Sequence, residues 1–162
     1  MNSQVKTRHG TAEYRDREIN FYAGGDPGTP TIVLVHGTGG DAARHYGILQ
    51  PLLSGKHSTL SFDWIDPRDG ELTVEQLVDQ LECVIKAADV DGPITLVGYS
   101  LGAVVALVAA ARLADQIENL VLIAGWIKTD NQQKLRNRIW RTLRDEGSAA
   151  LAEYQTFCAF GA

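Results

Sequence analysis

With 162 residues the chain falls within one domain by length, and 44% hydrophobic residues suffice for a packed core. A formal net charge of −5 argues against a nucleic-acid-binding surface. The longest unbroken apolar run, Ala103 to Ala111, has nine residues, well short of the roughly 20 that span a bilayer, so no membrane partner is expected. Met1 to His9 holds no apolar segment, which predicts no signal peptide and a cytoplasmic location. Cys83 and Cys158 are then expected to be reduced and buried in predicted helices. Neither a metal-ligand spacing nor a repeat is found, and no metal or cofactor is implied.

In chain order, Val5–Tyr14 and Arg17–Ala23 read as strands of an antiparallel hairpin with Arg15-Asp16 as a tight turn. A loop rich in Gly and Pro, Gly24 to Pro30, precedes the apolar strand Thr31–Val35. His36-Gly37-Thr38-Gly39-Gly40 follows directly; such a glycine-rich loop can aim backbone N–H groups at an anion. Asp41 is placed to cap a helix carrying Tyr46, Leu49, Leu52 and Leu53 inward. His57–Phe62 reads as a short strand ending at Asp63, followed by a loop from Trp64 to Leu72. Thr73 and Gln76 form a capping box, and Val74, Leu77, Val78, Leu81, Val84, Ile85 and Ala88 recur at helical spacing.

Ile94–Val97 suits a strand buried on both faces, and Ala103–Ala111 a buried helix. Between them Gly98-Tyr99-Ser100-Leu101-Gly102 must turn sharply from strand to helix with Ser100 at the apex. That turn sets the serine hydroxyl at a helix N-terminus, where exposed N–H groups favour developing negative charge. Glu118–Ala124 is a sixth strand, its Leu120–Ile123 run expected to be buried on both faces. The alternation from Thr31 to Ala124 implies a mainly parallel sheet with right-handed crossovers. Beyond it, Thr129 or Asp130 can cap a helix to about Asp145, and Ser148 a further one. Between Lys128 and Arg144 stand six basic residues and one acid, either a face for an anionic substrate or a solvated surface.

Taken together, the strand followed by His36–Gly40 and the Gly98–Gly102 turn about 60 residues later resemble the oxyanion loop and nucleophile elbow of the α/β-hydrolase family. The resemblance covers the chain from about Val5 to Trp126. It implies an α/β fold: a three-layer, mostly parallel sheet in the order 1-2-4-3-5-6, with an antiparallel N-terminal hairpin, ending after strand six. Residues 1–125 would form an incomplete hydrolase core and 126–162 the start of a helical cap. By the same resemblance Ser100 is the nucleophile, and the backbone N–H groups of Thr38 and Leu101 hold the oxyanion; one such donor is typically worth ~3 kcal/mol of barrier lowering. His36, Gly37, Gly39, Gly98, Tyr99 and Gly102 would shape the site. The segment after Asp63 departs from the family pattern, having no paired glycines.

A serine hydroxyl needs a general base, and the base an orienting acid. The family order is serine, acid, histidine, yet His9, His36, His45 and His57 all precede Ser100. His36 is expected to brace the loop backbone, His45 to lie at a helix surface, and His9 and His57 to be packed or solvated. By the resemblance Asp130, which follows strand six where some relatives place the acid, is a candidate acid; its alternative role is a helix N-cap. In most relatives acid and histidine follow strands seven and eight, so the chain reads as the amino-terminal part of a longer hydrolase or a truncated product of one. Trp64, Trp126 and Trp140 line an acyl pocket or pack in core and cap.

These readings predict a serine hydrolase that cleaves a small-molecule ester or thioester through an acyl-enzyme on Ser100, with the bare 162-residue chain inert if acid and base come from a missing carboxyl-terminal part. The alternative is a non-catalytic ligand-binding or interaction protein on the same frame. A sheet that stops at strand six leaves an apolar edge open to self-association or to a carboxyl-terminal complement.

Overall fold

A computed structural model of the chain describes residues 7–66 and 72–160, so the expectations for Val5, Lys6 and the Pro67–Glu71 part of the loop lie outside the described residues. The described residues form two compact units, divided between Trp126 and Ile127.

The first unit opens with the hairpin. β1 (Arg8–Tyr14) and β2 (Arg17–Gly24) pair antiparallel from Arg8↔Ala23 to Tyr14↔Arg17. Then follow β3 (Thr31–Val35), α1 (Ala42–Tyr46), α2 (Leu49–Leu53), β4 (Ser58–Phe62), α3 (Val74–Ala87), β5 (Ile94–Tyr99), α4 (Leu101–Arg112) and β6 (Ile117–Ile123). The sheet order is β1-β2-β4-β3-β5-β6, as the resemblance implies. β2 runs antiparallel to β4, while β4, β3, β5 and β6 are mutually parallel.

Strand alternation decides what lies on each face. Val33 and Val35 turn to one side of β3, where they join Leu96 of β5, Leu77, Leu81 and Val84 of α3, and Val105 and Ala109 of α4. Ile32, Leu34 and Val97 turn to the other side, against Tyr46 and Leu53. The central strands are therefore apolar on both faces because helices cover both. The Thr73–Gln76 capping box forms at the start of α3, both reciprocal bonds present. Arg112 at the end of α4 pairs with Asp79 and Glu82 of α3, joining the two helices on the same face.

Two expectations are corrected. The helix after Asp41 is two short helices rather than one, with Leu49 half-exposed and Leu52 72% exposed. Pro51 has no N–H and fits only the first turn of a helix, so a new helix starts at Leu49 in place of a continuous one. The Leu120–Ile123 run is not buried on both faces: Val121, Leu122 and Ile123 are 42%, 43% and 43% exposed. Among the described residues β6 is the last strand, so no strand pairs with its outer edge there. Leu107 and Val108 of α4 are exposed as well.

In the second unit, α5 (Asn131–Asp145) and α6 (Ala150–Phe160) form a helical hairpin. Gly147 takes a φ of 61°. Its N–H donates to Arg144 O and that of Ser148 to Leu143 O, the paired bonds of a Schellman stop. The Tyr154 hydroxyl then donates to Arg136 O, fastening α6 to α5. Trp140 lies under the Arg144 guanidinium, 4.8 Å from the ring centroid. Among the described residues no helix is long and apolar enough to cross a membrane.

Candidate active site

β5 ends at Tyr99 and α4 begins at Leu101, so the whole turn falls on Ser100. Its backbone sits at φ 55°, ψ −119°, a region L-residues rarely adopt. Such strain costs roughly 1–3 kcal/mol and persists only where surrounding structure over-determines it. Here the Ser100 N–H donates to Ile123 O at 2.9 Å, and its carbonyl accepts from Ala103 N at 3.0 Å. At Gly98 a β-carbon would stand 2.4 Å from Gly102 O, so strand and helix meet at a spacing only glycine permits.

Serine is among the preferred N-cap residues, yet the Ser100 hydroxyl makes no bond to the first turn of α4. The side chain is half-buried and stands at a helix N-terminus whose first N–H, that of Leu101, has no intrahelical carbonyl to meet. The loop after β3 passes directly against it. A β-carbon on Gly37 would come within 2.9 Å of Ser100 Cβ and 3.0 Å of Tyr99 O. Thr38 and Gly39 follow at the exposed tip, Gly39 with a φ of 75°. The structure thus gathers Ser100, Leu101, Gly98, Tyr99 and Gly102 with His36, Gly37, Thr38 and Gly39 at the carboxyl ends of β3 and β5, where open α/β sheets bind ligands.

His36 braces this loop from within the fold. The Trp64 N–H donates to Nε2 at 3.3 Å, so Nδ1 carries the proton and donates to Gly37 O at 2.8 Å. The Trp64 indole N–H donates to His36 O at 3.1 Å. Burial lowers the His36 pKa, only partly offset by its bond to Gly37. With both ring nitrogens engaged and the neutral form favoured, His36 is fitted to hold backbone rather than to take a proton.

Sequence reasoning missed three supports. Asp63 accepts from the Ala42 N–H at 2.8 Å and from the Tyr22 hydroxyl at 2.7 Å, tying α1 and β2 to the end of β4. The bond to Asp63 and burial push the Tyr22 pKa up to about 12. Gln80, fully buried, pairs with both the N–H and the C=O of Ile65 at 3.0 Å each, pinning the segment that follows Trp64. His45 is not at the surface as expected but half-buried, its ring over Gly40 and 5.4 Å from that of Tyr99. Its only signal was its place one turn after Asp41.

Asp130 and His9 have partners of their own. Asp130, in the second unit, accepts from the Gln133 N–H at 2.7 Å as the N-cap of α5. His9 stacks edge-on with Tyr22 in the hairpin. Cys83 and Cys158 are free thiols, half-buried rather than buried. Among the described residues no three His, Cys, Asp or Glu side chains gather in a metal-ligand arrangement.

Comparison with known proteins places the chain in a family. The model of the alpha/beta hydrolase family matches residues 32–160. Pyrrolizixenacetamide deacetylase of Xenorhabdus hominickii is 34% identical over 129 residues, covering 76% of this chain and 48% of that protein. The chain therefore spans about half the length of the relative it matches. Among solved structures, the alpha/beta hydrolase MGS-M2 from a Medee basin deep-sea metagenome library superposes with a TM-score of 0.80 at 20% identity, covering 91% of this chain and 56% of that one. A putative lipase from Acinetobacter baumannii AYE superposes at 0.72 with 22% identity, covering 84% and 48%. Both structures share the fold. The family match runs through the loop, the elbow and the helices beyond, and the chain belongs to the alpha/beta hydrolase family.

Proposed function

We propose that the protein is a serine hydrolase that cleaves a small-molecule ester or thioester through an acyl-enzyme on Ser100. The observation that carries this reading is the strained backbone of Ser100, whose hydroxyl is left uncommitted beside the Gly37–Gly39 loop. Strain of this kind needs a use, and exposing a nucleophile at a helix N-terminus is one. Ser100 Oγ attacks the acyl carbon, the alcohol or thiol leaves, and water releases the acid. The N–H groups of Thr38 and Leu101 receive the negative charge of the tetrahedral oxygen. The proton needs a base other than His36, and residues 101–162 hold no histidine. A carboxyl-terminal complement docked on the β6 edge would supply base and acid. The 34% identical relative is a deacetylase by name, which makes acetylated small molecules the first substrates to try.

The test is covalent labelling by a fluorophosphonate in the longest native form of the protein. Labelling at Ser100, lost in Ser100→Ala, is the expected result. An unlabelled Ser100 overturns the reading, and ligand binding that survives Ser100→Ala without ester cleavage would instead mark a binding protein on the hydrolase frame.

A further inference from the structure

The Gly37–Gly40 loop is held at both ends by rings. At its start, Gly37 lies against Tyr99, with a notional β-carbon 3.3 Å from Tyr99 Cδ1. At its end, Gly40 lies under the His45 ring, a notional β-carbon 2.5 Å from Cε1 and 3.0 Å from Nδ1. The two rings meet at a centroid distance of 5.4 Å, and His36 stands 5.6 Å from His45 on the inner side. The loop tip, Thr38-Gly39, is exposed and has no side chain of its own in the core. The loop meets Ser100 through Gly37, and these rings flank it at both ends.

We infer that His45 is a positioning residue for the oxyanion loop, acting as a neutral aromatic plate that with Tyr99 holds the two ends of the Gly37–Gly40 loop, whose first residue packs on Ser100. The inference rests on the serine hydrolase reading. Nδ1 of His45 is buried and has no hydrogen-bond partner among the described residues. A proton added to the ring places charge against Gly40 with no acceptor, so the plate works only while uncharged. Burial is the largest influence on the ring, and its charged neighbours oppose one another. Burial lowers its pKa, Asp41 raises it, and Arg44 lowers it further. His36 faces it from the β3 side, Tyr99 from the elbow, and Tyr46 from its own helix. Of these rings, neither His36, whose nitrogens are engaged, nor the two phenols offers a counter-charge; Asp41 is the group that favours the charged form, and burial outweighs it.

Two measurements test this. In an NMR titration of the intact protein, the His45 ring should titrate below the ordinary value of about 6.5, and the Gly39 and Gly40 amide shifts should move with the same midpoint. In fluorophosphonate labelling, His45→Ala should slow the reaction at Ser100 about tenfold. His45→Phe, which keeps the plate without the proton, should restore most of the rate and remove the part of the acid limb that follows the His45 midpoint. Wild-type labelling by the alanine variant, or a phenylalanine variant that folds but labels no faster than alanine, overturns the inference, as does a loop that ignores the His45 titration. If wild-type Ser100 is unlabelled, the hydrolase reading fails, and the Gly39 and Gly40 shifts still report whether His45 holds the loop.

Discussion

Gly102 in the first turn of α4 packs so tightly on Val35 at the end of β3 that a β-carbon would stand 1.9 Å from the Val35 carbonyl oxygen. The obstacle is backbone, which cannot swing away as a side-chain tip would. The same carbonyl accepts from the Tyr46 hydroxyl at 2.8 Å, so it is held from both faces of the sheet. Gly102→Ala should therefore destabilise the protein by about 3 kcal/mol or more, from overpacking and a displaced helix. Gly92→Ala, with nothing within 4 Å of the new carbon, should stay within roughly 0.5 kcal/mol of wild type. Urea unfolding of the two variants beside the parent reads the difference.

Ser100 presents the opposite case, a side chain kept where glycine would rest more easily. Its φ of 55° and ψ of −119° suit a residue without a β-carbon. Ser100→Gly should raise stability by about 1 kcal/mol while abolishing fluorophosphonate labelling, whereas Ser100→Ala should abolish labelling without that gain. A thermal melt of the three proteins together with the labelling assay checks both halves. A glycine variant no more stable than alanine would show that the elbow carries little strain.

Acid should weaken the fold through His36 and His45. Both have pKa values lowered mainly by burial, so the unfolded chain takes up protons that the native state refuses. Between the ordinary value of about 6.5 and the depressed native values the unfolded state binds more protons, so stability rises with pH there. The contribution is intact above that ordinary value and is lost as pH falls through the native pKa values. Urea midpoints at neutral pH and about one and two units lower should decline in step, and His45→Phe should flatten part of the slope. A flat profile would place both rings in water.

The β6 edge should behave as an association surface. Val121, Leu122 and Ile123 are each about two-fifths exposed, beside the exposed Leu107 and Val108 of α4. An uncovered apolar edge offers unpaired backbone groups to another strand. The isolated chain should self-associate in sedimentation velocity at micromolar concentration, and Val121→Lys with Ile123→Lys should shift it toward monomer. Equal sedimentation of parent and double variant would remove β6 from the interface.

The strands, the hairpin, the capping box at Thr73, the turn at Ser100 and, through family resemblance, the strand order were legible before any coordinates. Each of these is written in neighbouring residues: the apolar runs of β3 and β5, the turn pair Arg15-Asp16, the glycines flanking Ser100. Tertiary structure alone decided how the site is held. The bonds that fix it run from Trp64 to His36, from Asp63 to Ala42 and Tyr22, and from Gln80 to Ile65. They join residues 15 to 41 positions apart, and no local period records them. Nor does a pattern of apolar residues say where a sheet stops, which is why Leu120–Ile123 read as a buried strand. Burial is a property of neighbours, and β6 has one on only one side among the described residues.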